Sequence, residues 1–165
     1  MCDDEFIASF EACTLPPERF RHADHVHLAW LYLRRSPVLA ALARFRRALR
    51  RFAASQGKPE RYHETITSAY FLLIHERVHR TGQHKDWPSF ALANPDLLDW
   101  NDRILHAYYD PATLDSEFAR RVFVFPEPSY RTVVRRPAIE PKRSVAQGVG
   151  GLAELARETD CHGNP

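Results

Sequence analysis

At 165 residues and 44% hydrophobic side chains, the chain is long enough to bury one core and short for more than one domain. A formal net charge of +2 is too small to mark a polyanion-binding protein, and the three cysteines, Cys2, Cys13 and Cys161, offer neither C-x-x-C spacing nor an even disulfide count. The N-terminus Met-Cys-Asp-Asp-Glu is acidic where a secretory signal is basic, and no apolar run nears the roughly 20 residues of a membrane span. The expectation is a cytoplasmic protein with neither membrane nor nucleic acid as partner.

Asp3 to Cys13 reads as a first helix, with Phe6, Ile7 and Phe10 on one side, and Leu15-Pro16-Pro17 ends it. Asp24 suits an N-cap, so a second helix is predicted over about 25–35. On its wheel His25 aligns with Leu28, Ala29 and Tyr32 and should point inward, whereas His27 falls near Arg34 and should point outward. Ser36-Pro37 opens a third helix, to about Ala54, with an apolar stripe of Leu39, Leu42, Phe45, Leu49 and Phe52. Seven arginines and no carboxylate lie between Arg34 and Arg51. No aromatic residues interleave with them on the outer side, so a solvated helix face is expected rather than a nucleic-acid surface. Gln56-Gly57-Lys58-Pro59 is a stop signal.

The stretch from Tyr62 to His79 is the longest with one periodic character. Ile66, Tyr70, Leu73, Ile74 and Val78 form its broad apolar face, with Phe71 and Leu72 on the flanks, so a central helix covered on more than one side is predicted. Beyond it, Asp86-Trp87-Pro88 opens a short helical turn. Asn94-Pro95 pairs a cap with a first-turn proline, before an amphipathic helix carrying Leu97, Leu98, Ile104, Leu105 and Tyr108. Asp110-Pro111 starts a shorter piece reaching Arg121. Prolines then crowd the chain, and an extended arm is expected over 122–143, followed by a mobile tail. The predicted fold is all-α, an up-and-down bundle of about five helices over residues 1–125, with arm and tail over 126–165.

Two places carry candidate chemistry. His75-Glu76-Arg77-Val78-His79 fits H-E-x-x-H, which places two histidines one helical turn apart to hold zinc and a glutamate to activate water. The extended zinc-protease pattern fails, because the next histidine, His84, arrives one residue early and Lys85 stands at the required position. The second place follows from topology. Short links make the second, third and central helices run up, down, up, so His22 and His25 should meet His63 and Glu64 at one bundle end. An antiparallel helix from Pro95 would bring His106 there as well. His22, His25, His63 and His106 are the candidate ligands of a divalent metal (zinc, iron or manganese), with Glu64 the candidate catalytic carboxylate. Adjacent helical residues do not face one way, so only one of His63 and Glu64 should reach the metal directly. The expected function is a His/Glu-lined pocket binding a metal and a small molecule, with an enzyme of unread reaction in view. The alternative is a non-catalytic ligand-binding or protein-interaction module.

The stretches Phe20-Arg21-His22-Ala23-Asp24-His25-Val26-His27-Leu28-Ala29-Trp30 and Tyr62-His63-Glu64-Thr65-Ile66-Thr67, with Asn94-Pro95-Asp96-Leu97-Leu98, resemble a family of small bacterial proteins without an established activity. The likeness spans about residues 15–125. It implies a bacterial source and one domain, and transfers no role to any residue.

Overall fold

The structure is a computed structural model that describes residues 1–80, 86–100 and 104–126. Among the described residues there are seven α-helices and no strand, so the fold is all-α: α1 (Asp3–Glu11), α2 (His22–Arg35), α3 (Val38–Ser55), α4 (Glu64–Arg80), α5 (Trp87–Ala93), α6 (Pro111–Leu114) and α7 (Glu117–Arg121). Helices α2, α3 and α4 pack against one another pairwise, and α1 lies on α2 and α3. No helix among the described residues is long and apolar enough to cross a membrane.

Helix α2 begins one turn earlier than the Asp24 cap implied. Arg21 is the N-cap, and Asp24, in the first turn, reaches back to accept the Arg21 backbone N–H at 2.8 Å. That puts His22 on the helix. The helix is buried on more than one side, through Val26, Leu28, Ala29, Trp30, Leu31 and Tyr32. His27 accordingly does not face solvent as its wheel position suggested. Its ring stacks on Trp87 at 4.3 Å between centroids and lies 5.5 Å from Phe6. Its Nε2 sits 3.5 Å from an Asp3 carboxylate oxygen without a hydrogen bond.

In α3 the expected stripe shifts. The buried face is Ala41, Leu42, Phe45, Ala48 and Phe52, and Leu39 is 74% exposed. The two alanines recruit a face centred about 130° away from Leu39 on the wheel, leaving it beside Arg46 and Arg50. The arginines are not a merely solvated face either. Arg44 grips both Glu11 carboxylate oxygens, at 2.6 and 2.9 Å, and Arg51 bonds the Glu11 carbonyl, so α3 clamps α1. Tyr32 donates to the same Glu11 at 2.7 Å. On the other flank Arg46 and Arg50 both pair with Glu64 of α4.

Among the described residues the amphipathic helix expected from Pro95 to Tyr108 does not form, and short 3-10 turns stand at Pro95–Leu97 and Ile104–Ala107 instead. Asn94 explains why. Its fully buried amide does not cap a new helix; it donates to the Phe90 carbonyl at 2.9 Å and accepts from Arg77 at 3.3 Å, closing α5 instead. Arg77 also holds Asp96, at 2.6 and 3.3 Å, which pins this turn to α4. Asp86 caps α5 as expected, through the Ser89 N–H at 2.9 Å.

After α7 the chain leaves the helix with Val122 in extended conformation and has no regular structure over 123–126, and Thr65 holds this segment. The Thr65 hydroxyl faces the Ala119 and Val122 carbonyls at 2.7 and 2.9 Å and accepts the Val124 N–H at 3.1 Å. Thr65 is fully buried. Thr65→Val keeps the shape and orphans these backbone groups, so it should cost about 1–3 kcal/mol of unfolding free energy in urea. A loss under about 0.5 kcal/mol would mean that the segment is held elsewhere. The rest of the predicted arm and the tail lies outside the described residues.

Candidate functional site

A cavity of about 500 Å³ opens between α2, α3 and α4, a size ordinary for small-molecule sites. Its floor is buried and apolar, formed by Val26, Ala29, Phe45, Phe52, Phe71 and Ile74. Its rim is exposed and includes Pro17, Lys58, Arg61 and Trp100. His22, His25 and His63 all line it. The two helix starts expected to meet do so, although His22 and His25 stand about 40 positions before His63.

The three imidazoles are not equivalent. His63 is the N-cap of α4: its Nδ1 accepts the Ile66 N–H at 3.2 Å, and its Nε2–H donates to the Leu114 carbonyl at 2.8 Å. Both ring nitrogens are thereby committed, and burial holds its pKa below the ordinary histidine value. His22 donates Nε2–H to the Leu97 carbonyl at 2.9 Å and sits 5.1 Å from both Tyr70 and Trp100. Burial lowers its pKa too, partly offset by the Leu97 bond. The His25 ring stacks face to face on Phe20, 4.0 Å between centroids, and its nitrogens make no hydrogen bond to any described residue. Burial, reinforced by nearby His22, lowers its pKa to about 4. At neutral pH it is an uncharged ring with one donor and one acceptor unused by the protein.

That shift has a sign that can be checked. An unfolded chain protonates His25 near 6.5, the folded chain only near 4, so the unfolded state takes up the proton first. The stability that neutral His25 contributes is complete above 6.5 and falls as pH drops from 6.5 toward 4. The loss should reach about 3 kcal/mol, with His22 and His63 acting in the same direction. Urea midpoints from pH 7 to 4.5 measure it, and His25→Phe should flatten the slope. An unchanged slope in that variant would contradict the burial of His25.

The other two expected site residues are elsewhere. His106 is exposed and does not line the cavity, because the helix meant to carry it there does not form. Glu64 does not line it either. Its carboxylate is 2% exposed, held by Arg46 and Arg50, by the Tyr62 hydroxyl at 3.0 Å and by Ser68 at 3.3 Å. Burial opposes its ionisation, but the Tyr62 bond and the two guanidiniums outweigh burial and keep its pKa below the ordinary value. A carboxylate so saturated clamps α3 to α4. His63 and Glu64 diverge as adjacent helical residues must.

In H-E-x-x-H, the Nε2 atoms of His75 and His79 lie 3.1 Å apart on the surface, and Glu76 is paired with Arg80 at 2.7 Å. Lys85 and His84 lie outside the described residues. No group of three or more His, Cys, Asp or Glu among the described residues is arranged to hold a metal. Among the described residues, the histidine ring nitrogens of the cavity left without a hydrogen-bond partner are Nδ1 of His22 and both of His25.

Sequence reasoning missed the cations of the wall. Lys58 precedes and Arg61 ends the 3-10 turn Pro59–Arg61, and Arg120 arrives from α7, its Nη1 donating to the Glu60 carbonyl at 2.9 Å. The stop signal before Pro59 marked the turn, but nothing in the local pattern joins Arg120 to it. No family model matches the chain, and neither a curated protein nor a solved structure matches it. The functional reading therefore rests on the cavity.

Proposed function

We propose that the protein is a binding module for a small, largely apolar molecule, taken into the cavity between α2, α3 and α4 with His25 meeting its polar group. The carrying observation is the His25 ring, half-buried and stacked on Phe20, lining the cavity, and without a hydrogen-bond partner among the described residues. The His25 ring nitrogens are open to the cavity and so are available to a ligand there. A ligand polar group that meets the ring gains a hydrogen bond without displacing one made by the protein. The reading is a binding one because Glu64, the carboxylate expected to do chemistry, does not line the cavity.

The test is fluorescence titration with N-phenyl-1-naphthylamine, a neutral apolar dye. One dye per chain should bind, and Ala53→Trp, which fills the wall from α3, should abolish binding in a protein whose circular dichroism is unchanged. His25→Phe should weaken binding while leaving the free protein at least as stable at pH 7. A purely structural His25 would give the opposite pair of results. No binding by the wild type, or binding untouched by both variants, would overturn the proposal.

A second reading keeps a divalent metal, zinc, iron or manganese, and is favoured by the unengaged nitrogens of His22 and His25 sharing one cavity. Two imidazoles would need water or ligand to complete the coordination. Added Zn²⁺ should then raise the melting temperature of the wild type but not of His25→Phe. No rise in the wild type would remove this reading.

A further inference from the structure

We infer that the ligand is a hydrophobic acid, its apolar body on the aromatic floor and its anionic head at the rim between Lys58, Arg61 and Arg120. This deepens the cavity reading and rests on it. The argument is the distribution of charge around the cavity. Among the described residues lining it are three permanent cations and no aspartate or glutamate. The three histidines that share the wall all titrate below the ordinary histidine value, so at neutral pH the formal charge of the wall is that of the three cations alone.

The cations are also gathered rather than scattered. Arg120 is tied at 2.9 Å to the carbonyl of Glu60, the residue between Pro59 and Arg61, so α7 delivers it to the same turn that carries Lys58 and Arg61. The acids nearby do not neutralise the group. Glu60 and Glu117 stand outside the wall, and Glu117 touches Arg120 only at 3.8 Å with its side chain 64% exposed. Lys58 and Arg61 have no ion-pair partner among the described residues. Cations of one sign beside a low-dielectric wall concentrate field at the opening and favour an anion over a neutral molecule of the same shape. They also disfavour a bare metal ion. Lysine and arginine donors at a carboxylate form charge-assisted hydrogen bonds, stronger than those to a neutral group.

The experiment uses two dyes with one ring system: neutral N-phenyl-1-naphthylamine and 1-anilinonaphthalene-8-sulfonate, which adds the sulfonate. Both are titrated into the full chain, into a Lys58→Gln/Arg61→Gln variant and into Ala53→Trp. The sulfonate dye should bind the wild type at least tenfold more tightly than the neutral dye. The double variant should lose most of that preference, raised salt should reduce it, and Ala53→Trp should bind neither dye. Equal affinities in the wild type, or a preference that survives the double substitution, would overturn the acid and leave the cavity reading intact. Failure of both dyes to bind would overturn the cavity reading and this one with it.

Discussion

Glu64→Ala should lower the unfolding free energy by about 3 kcal/mol at pH 7, the largest loss expected from a polar side chain here. The carboxylate is nearly inaccessible and receives Arg46, Arg50, Tyr62 and Ser68. Arg50 also lies over the Tyr62 ring, 4.6 Å from its centroid. Removing the acid leaves two like charges converging on a space that neither can fill. Both guanidiniums keep access to water, with side-chain exposures of 34% and 51%, which holds the loss at the lower end of the range for broken buried pairs. Glu64→Gln keeps the shape and should lose less. The pH dependence follows from the depressed carboxyl pKa. Its contribution is complete above the ordinary glutamate value of 4.5 and is lost as pH falls through the lower folded value. Urea unfolding of wild type and variant at pH 7 and pH 3 measures both effects. A loss at pH 7 below about 1 kcal/mol would mean that the pair behaves as an exposed one.

Phe10→Ala should cost about 3–5 kcal/mol, as truncation of a fully buried phenylalanine does. Phe10 has no exposed surface and joins α1 to the aromatic cluster, with ring centroids 5.3 Å from Phe20, 5.4 Å from Phe52 and 6.2 Å from Phe45. Those three rings line the cavity. The substitution should therefore do more than destabilise: Phe20, freed on one side, should let His25 move, and affinity for N-phenyl-1-naphthylamine should fall. Denaturant unfolding with a dye titration checks both. A destabilised variant that binds with wild-type affinity would show that the aromatic cluster and the cavity wall are mechanically independent.

The all-α class and the extents of α3 and α4 were legible because helical spacing, Ser36-Pro37 and Gln56-Gly57 all point the same way. The meeting of His22, His25 and His63 was legible too, since three helices with short links leave little topological choice. Local pattern failed where a polar side chain had two competing uses. Asn94-Pro95 looks like a helix start, but Asn94 closes the helix before it and Arg77 takes Asp96. With that helix gone, His106 had nothing to bring it to the site. Glu64 looked catalytic beside His63 because nothing local announces that two arginines of α3 claim it, one turn apart on the face taken for solvent. The cations at the cavity rim depend on α7 crossing back to residues 58–61, a contact about 60 positions long in sequence.

The central claim is that His25 is a neutral, unpartnered imidazole facing a cavity that a ligand fills. Two-dimensional proton–nitrogen spectra of the ¹⁵N-histidine-labelled protein test it most directly, because ring nitrogen shifts report charge, tautomer and hydrogen bonding together. Between pH 7 and 5 the His25 ring should stay neutral. Saturating 1-anilinonaphthalene-8-sulfonate should shift the His25 nitrogens, while His63, with both nitrogens on backbone partners, keeps its single Nε2–H tautomer. A His25 ring protonated at pH 5.5, or one whose nitrogens do not respond to the dye, would contradict the account.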